Sequence, residues 1–150
     1  MIAMGLNVQA EILKTWWLDT GKKDDILSAN ARILDEYVRR EIKGETINST
    51  IEGRVRLESE AKIVNSTVRG PCAIGTRTII KNSFVGPFTS LGSGSEISNS
   101  TVEYCVVLEN AVIKDVERVE ESLVGRHARV VGNGRRSIKA HIGDYSEIEV

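Results

Sequence analysis

The 150-residue sequence lacks several features that would point to a particular partner or environment. Its formal net charge is −1, so it has no basic excess for binding nucleic acid or an acidic membrane surface. No apolar run approaches the roughly 20 residues that cross a bilayer, and no basic-then-apolar leader is seen at its start. Its two histidines are too few to supply a three-histidine zinc site within one chain. These absences predict a protein with no nucleic-acid partner and no membrane segment.

Cysteine is equally scarce. Cys72 and Cys105 each stand two residues before an aliphatic residue, Ile74 and Val107 respectively. Side chains at that spacing lie on the same side of a strand, so both thiols are predicted to be buried with the aliphatic residues. Buried unpaired thiols are typical of a reducing compartment and are usually inert. The sequence therefore predicts a cytoplasmic protein without a disulfide or a catalytic cysteine.

The sequence does contain a four-residue word that is repeated at a constant spacing of 17 residues. Its copies begin at Asn48, Asn65, Asn82 and Asn99. A fixed period in this range is typical of proteins built from stacked repeats. Because Asn tolerates a left-handed backbone and its amide can bond to neighbouring turns, these residues are predicted to stack at one corner of successive coils.

A finer pattern of aliphatic residues lies within each unit, at steps of six, six and five residues. This spacing does not match the steps of three and four that a helix requires, and it favours coils of three short strands and three corners. The predicted inward aliphatic residues are Ile51, Leu57, Ile63, Val68, Ile74, Ile80, Val85, Leu91, Ile97, Val102, Val107, Ile113, Val119, Val124, Val130, Ile142 and Ile148. Between Val130 and Ile142, residues 132–137 are predicted to form an exposed loop because they are rich in Gly, Asn and Arg. The pattern resembles the hexapeptide repeat of left-handed parallel β-helices and implies a mainly β fold of about six coils.

The segment before the repeats follows a different pattern. Residues 9–17 alternate loosely and predict a short strand, and residues 16–21 read as a turn. Residues 24–42 place apolar residues at spacings of three and four, with acidic residues at the start, and predict one α-helix. Gly44 is expected to end this helix and to lead into the first coil.

The turn and helix also carry a resemblance. Trp17-Leu18-Asp19-Thr20-Gly21, followed by Asp25-Ile26-Leu27-Ser28-Ala29-Asn30, resembles the back half of the core of sugar-1-phosphate nucleotidylyltransferases. The closing residues 141–149 resemble the end of the subgroup that uses dTTP and glucose 1-phosphate and carries a left-handed β-helix after its catalytic domain. The resemblance implies a remnant of the nucleotidyltransferase core over residues 1–43 and a β-helix over residues 44–150. It also implies a place in nucleotide-sugar biosynthesis.

Asp19 is the site residue that this resemblance singles out. In the family, the Asp of this motif is one of two carboxylates that hold Mg²⁺, which prefers oxygen ligands and bridges phosphate oxygens. The family's glycine-rich nucleotide loop has no match in this sequence, so the catalytic and nucleotide-binding residues stay unassigned. The resemblance implies a β-helix portion that serves assembly or regulation, binds no cofactor alone and is inactive alone, which leaves open whether this chain is an enzyme. A structural turn carboxylate is the other interpretation of Asp19, and Trp16 and Trp17 are expected to be partly buried against the helix.

Two other functions stay open. Many left-handed β-helices are acyltransferases that use acetyl-CoA and a His base, for which His127 and His141 are the candidates; a solvated surface position is the alternative for both. The third hypothesis is a scaffold without catalytic activity, because outward apolar residues often mark an interface. Those residues are Val64, Ile79, Phe84, Phe88, Val106 and Leu108. The expected partners are further copies of the chain, as a trimer or dimer, or a nucleotidyltransferase catalytic domain.

Overall fold

The computed structural model describes residues 21–132 and 137–150. These residues form helix α1 (Lys23–Tyr37) and twenty strands of two or three residues. The strands are β1 (Glu41–Ile42), β2 (Glu45–Ile47), β3 (Thr50–Glu52), β4 (Val55–Leu57), β5 (Lys62–Val64), β6 (Thr67–Arg69), β7 (Cys72–Ile74), β8 (Ile79–Lys81), β9 (Phe84–Val85), β10 (Thr89–Leu91), β11 (Glu96–Ser98), β12 (Thr101–Glu103), β13 (Val106–Val107), β14 (Val112–Lys114), β15 (Arg118–Glu120), β16 (Leu123–Val124), β17 (Arg129–Val131), β18 (Ser137–Ile138), β19 (His141–Ile142) and β20 (Glu147–Glu149). No helix in these two ranges is long and apolar enough to cross a membrane.

The strands stack into three sheets, and each sheet takes every third strand of the chain. Face A contains β1, β4, β7, β10, β13, β16 and β19; face B contains β2, β5, β8, β11, β14, β17 and β20. Face C contains β3, β6, β9, β12, β15 and β18. All strand pairings in the described ranges are parallel. This arrangement is a three-sided parallel β-helix of about six turns, and it confirms the predicted fold class.

The predicted aliphatic residues fill the interior. On face A, Ile74 pairs in register with Leu57 on one side and Leu91 on the other, and all three are buried. The small residues two places earlier are buried with them, as at Cys72 and Thr78. Only the terminal coils differ, because Ile51 and Ile148 have a neighbouring coil on one side and are half-buried. Each fully buried aliphatic side chain stabilises the stack by about 1.5–3 kcal/mol, so a coil depends on its neighbours for its core.

One corner of the prism carries the predicted asparagine stack. Asn48, Asn65, Asn82 and Asn99 all have left-handed backbones, with φ between 45° and 49°. The Nδ2 of Asn65 donates to Oδ1 of Asn82 at 3.3 Å, and Nδ2 of Asn82 donates to Oδ1 of Asn99 at 3.2 Å. Asp115 ends the ladder by accepting from Asn99 at 2.7 Å. The prediction from the repeated word is confirmed.

The predicted end of the helix at residue 42 is wrong. Helix α1 ends at Tyr37, because Val38 is extended with ψ of 128° and its N–H closes the last turn on the Leu34 carbonyl. Residues 41–42 instead form β1, in which Ile42 pairs with Leu57 of β4. Arg40, expected within the helix, donates to the carbonyls of Ile51 and Gly53 at the end of the first coil.

Two other predictions concern segments that the structure does not describe, in whole or in part. The short strand predicted for residues 9–17 lies outside them, as do residues 133–136 of the predicted loop at 132–137. On the far side of that loop, Ile138 of β18 pairs with Val119 of β15. The coil therefore continues in register after residue 136.

Candidate functional site

Asp19, the predicted metal ligand, lies outside the described residues, as do Trp16 and Trp17. Within residues 21–132 and 137–150, no group of three or more His, Cys, Asp or Glu side chains could hold a metal ion. The side chains in these two ranges therefore do not form a Mg²⁺ site.

The two histidines lie apart on the surface. His127 has a left-handed backbone with φ of 55° at the corner between faces A and B, and its ring stacks on Tyr145 at 4.8 Å between ring centroids. His141 is exposed in β19 on face A. Among the described residues, no carboxylate accepts a hydrogen bond from the His127 ring, although a general base is normally oriented in this way. The geometry gives no support to a base at either position.

The two thiols are buried, unpaired and directed inward, as predicted. The Sγ of Cys72 donates to the Gly86 carbonyl at 2.9 Å, and the Sγ of Cys105 donates to the Glu103 carbonyl at 3.0 Å. Burial is the main cause that raises the pKa of each thiol from 9.0 to about 12. Neither cysteine is a nucleophile at neutral pH, because the thiolate is the reactive form.

Helix α1 rests on the β-helix along face A and the corner between faces C and A, and its central contact is polar. The Nδ2 of Asn30 donates to the Phe88 carbonyl at 3.0 Å, and Oγ of Ser90 donates to Oδ1 of Asn30 at 2.6 Å. Leu34 is buried, with 2% of its surface exposed. Asn30 thus binds both the Phe88 carbonyl, at the corner before β10, and the Ser90 hydroxyl, in β10. These two hydrogen bonds fix the position of the helix on the β-helix.

Each end of the helix has a charged contact with the same corner. The Nζ of Lys23 donates to the Glu121 carbonyl at 3.0 Å. At the other end, Nη2 of Arg54 lies 2.5 Å from Oδ1 of Asp35, and the same guanidinium donates to the Asp35 carbonyl. The apolar spacing that predicts the helix gives no sign of these contacts of Lys23 and Arg54.

A cleft of about 270 Å³, the helix cleft, lies between the first half of α1 and the corner that carries Phe88 and Tyr104. Those two rings stack at 5.4 Å between centroids. The helix cleft is lined by Asp24, Leu27, Ser28, Ala31, Phe88, Tyr104 and Glu121. Its walls are mostly apolar, and among the described residues that line it, Asp24 and Glu121 carry the carboxyl groups.

A second depression of about 420 Å³, the face A trough, crosses β4, β7, β10 and β13. Ala73, Ser90 and Val106 are in register along its floor and point outward. Arg56 and Glu58 close one end as an ion pair of 2.6 Å, whereas Val106 and Leu108 form the other end. This trough presents a mixed apolar and charged surface without a cluster of catalytic side chains.

Known proteins similar to this chain are nucleotidyltransferases. The chain is 34% identical over 154 aligned positions to glucose-1-phosphate thymidylyltransferase of Streptomyces antibioticus, and 36% identical over 155 positions to that of Streptomyces griseus. Each match covers 100% of this chain and 43% of the relative, so the chain spans less than half the length of these proteins. A 51-residue stretch, 34% of this chain and 14% of the relative, is 31% identical to the low-salt glycan biosynthesis nucleotidyltransferase Agl11 of Haloferax volcanii. No protein-family model matches the chain.

Proposed function

We propose that this chain, which corresponds over its whole length to the C-terminal part of glucose-1-phosphate thymidylyltransferase, is the β-helix portion that assembles such a protein. The proposal rests on two observations together. The similarity covers the whole of this chain, and a β-helix accounts for the described residues from 41 onward. The parent reaction joins dTTP and glucose 1-phosphate, forms dTDP-glucose and releases pyrophosphate.

The chain alone is inactive in this proposal. Its sequence has no match to the family's glycine-rich nucleotide loop, and the described residues hold no cluster of metal-binding side chains. The segment 1–43 is proposed to be a remnant of the nucleotidyltransferase core, with Asp19 as one of two Mg²⁺-binding carboxylates in the parent family.

A turnover assay tests the inactivity. The purified chain is incubated with dTTP, glucose 1-phosphate and Mg²⁺, and pyrophosphate release is measured beside a full-length thymidylyltransferase as the positive control. The expected result is release no faster than the blank. Pyrophosphate release that scales with the concentration of this chain would overturn the claim.

The assembly role is assigned to the face A trough, and a second copy of the chain is the proposed occupant. Val106 and Leu108 are half-buried outward residues, and on the neighbouring helix Ile33 and Tyr37 are 46% and 65% exposed. Apolar side chains left exposed on the helix and in the trough favour self-association, and isologous packing would let the two regions cover each other.

Paired substitutions test this surface. Val106→Glu places a charge in the trough, whereas Val112→Glu places the same charge on a half-buried outward position of face B. Sedimentation equilibrium is expected to show dissociation for the Val106 variant and an unchanged oligomer for the Val112 variant. A wild-type chain that is monomeric, or an oligomer insensitive to Val106→Glu, contradicts the assignment.

A further inference from the structure

A serine follows each asparagine of the corner between faces B and C, and these serines form a second ladder beside the asparagines. The serine Oγ of one coil accepts a hydrogen bond from the backbone N–H of the serine in the next coil. The distances are 3.1 Å from Ser66 N to Ser49 Oγ, 3.0 Å from Ser83 N to Ser66 Oγ and 3.2 Å from Ser100 N to Ser83 Oγ. Each of these bonds runs from a later coil to an earlier one.

The first copy of the repeated word lacks the contacts that the later copies have. Within the described ranges, the backbone N–H groups of Asn48 and Ser49 donate no hydrogen bond, and the Asn48 amide does not join the asparagine ladder. In the next coil, the Asn65 N–H donates to the Ile47 carbonyl at 3.0 Å, and Nδ2 of Asn65 donates to Asn82. Ser49 is half-buried, whereas the three later serines are buried. Among the described residues, this first corner is therefore held by the coil that follows it and by none before it.

The hydrogen bonds of these serines matter because asparagine followed by a small residue is prone to deamidation in water. The backbone nitrogen of the next residue attacks the side-chain Cγ and displaces ammonia, which forms a succinimide ring. That nitrogen must first lose its proton and turn towards Cγ, so a hydrogen bond that holds its N–H opposes the reaction. The environment of the serine N–H therefore decides which copy of the word reacts.

We propose that Asn48 is a site of spontaneous deamidation in the folded protein, and that the two ladders protect the other three copies of the word. The Ser49 nitrogen gives its proton to solvent and attacks Cγ of Asn48. A C–N bond forms, the Cγ–Nδ2 bond breaks, and Nδ2 takes a proton from solvent and leaves as ammonia. Water then opens the succinimide to aspartate or isoaspartate. The net change consumes one water and releases one ammonia, without oxidation or reduction.

Three hydrogen bonds oppose the same step at an interior copy such as Asn82. The Asn82 N–H donates to the Val64 carbonyl at 3.0 Å, the Ser83 N–H donates to Ser66 Oγ at 3.0 Å, and Nδ2 of Asn82 donates to Asn99 at 3.2 Å. Three hydrogen bonds of ordinary net strength correspond to a rate difference on the order of 100-fold.

The product changes the end of the asparagine ladder. At the far end, Asp115 accepts from Asn99, so the amide donors all point towards the later coils, and Oδ1 of Asn65 accepts no hydrogen bond within the described ranges. The Asn48 amide is the donor that could complete the ladder, but a carboxylate at this position cannot donate. Deamidation is therefore expected to loosen the first coil. This reaction depends neither on nucleotidyltransferase activity nor on self-association.

Peptide mass spectrometry tests the proposal, because trypsin releases Asn48 and Asn65 on separate peptides, 44–54 and 63–69. The other two copies share a third peptide, which fragmentation resolves. The folded protein is incubated at mildly alkaline pH in heavy-oxygen water, so that product formed before digestion is labelled. Deamidation at Asn48 is expected to be on the order of 100-fold faster than at each later copy. A rate at Asn48 no faster than at another copy rules the proposal out, as does an unreacted Asn48 when the urea-unfolded chain deamidates at all four copies.

Ser49→Ala tests the protecting hydrogen bond itself. The variant removes the acceptor of the Ser66 N–H, so deamidation at Asn65 is expected to become about fivefold faster. Asn82 is the internal control, because the Ser66 Oγ still protects it. Ser59→Ala is the matched control variant, since it removes an exposed hydroxyl at a different corner.

An unchanged rate at Asn65 in the Ser49 variant, or an equal acceleration at Asn82, contradicts protection by the serine ladder. Far-ultraviolet circular dichroism confirms folding of each variant. The comparison of the four copies in the unmodified chain remains decisive if a variant does not fold.

Discussion

Replacement of Ile74 tests the core of the β-helix most directly. Ile74 is 1% exposed and lies between Leu57 and Leu91 in the middle of face A. Its neighbour Ala73 is on the same strand, but it points outward and is half-buried. The pair therefore allows one charge to be placed on opposite sides of a single strand.

The magnitude follows from burial. Ile74→Ala removes buried carbon atoms and leaves a cavity, which costs about 2–5 kcal/mol in a core that cannot collapse. Ile74→Asp adds an unpaired buried charge and costs several kcal/mol more than the loss of packing alone. Since a domain is stable by only about 5–15 kcal/mol, the Asp variant is expected to be unfolded or close to it.

Urea unfolding followed by circular dichroism provides the measurement. The expected order of midpoints is wild type, then Ala73→Asp, whose loss is limited to weaker self-association through the face A trough, then Ile74→Ala, then Ile74→Asp. An Ile74→Asp midpoint close to wild type, or an equal loss for Ala73→Asp, would refute the inward assignment of this position and the phase of the whole repeat.

The remaining predictions concern the asparagine corner and the thiols. Asn82→Ala loses two hydrogen bonds of the asparagine ladder at a left-handed position and is expected to cost about 1–3 kcal/mol of unfolding free energy. Asn82→Gly loses the same hydrogen bonds but is expected to cost less, because Gly adopts the left-handed backbone without strain. Equal losses for the two variants would argue against backbone strain at this corner. Cys72 and Cys105 are expected to react with a thiol reagent near neutral pH only after denaturation, and rapid labelling of the folded protein would contradict their burial. Because burial raises the pKa of both thiols from 9.0 to about 12, the unfolded chain ionises first, so their contribution to stability is complete below about pH 9 and is lost as the pH rises towards 12. The double variant Cys72→Ala, Cys105→Ala is expected to show a flatter loss of urea midpoint over that alkaline range.

The interior of the fold could be predicted because it depends on local alternation. A residue such as Ile97 and the small Ser95 two places before it point the same way in any strand, and the fixed period places each coil over the next. The asparagine corner could be predicted for the same reason, since Asn is one of the few residues that tolerates the required backbone.

Most left-handed positions at the other two corners gave no such signal. Phe88, Tyr104 and Tyr145 also have left-handed backbones, although nothing in their chemistry favours that conformation. Their position in the repeat was the available signal, because they occupy the corner places between faces C and A or A and B. At these corners the stacked coils impose the backbone conformation on the residue, and composition does not reveal it.

The helix boundary and the helix cleft depend on contacts between distant parts of the chain. Residues 39–42 fit a helical pattern locally, but pairing of Ile42 with Leu57 outweighs that preference. Asn30, a polar residue on an otherwise apolar helix face, was a sign of a specific partner, but the sequence could not identify the Phe88 carbonyl and Ser90 as that partner.

Helix α1 contacts the β-helix through Lys23, Asn30 and Asp35, and these contacts relate the rise of an α-helix to the spacing between stacked coils. The corner residues that it contacts, Arg54, Phe88 and Glu121, precede β4, β10 and β16 and are therefore two coils apart, or about 9.6 Å along the axis at each interval. The matching helix residues, Asp35, Asn30 and Lys23, lie about 7.5 and 10.5 Å apart along the helix. The length of a helix is fixed by its rise per residue, so α1 can make all three contacts only when the number of coils between its attachment points is correct. Deletion of one 17-residue unit between Arg54 and Phe88 would leave every coil intact and yet prevent the helix from reaching all three of its attachment points.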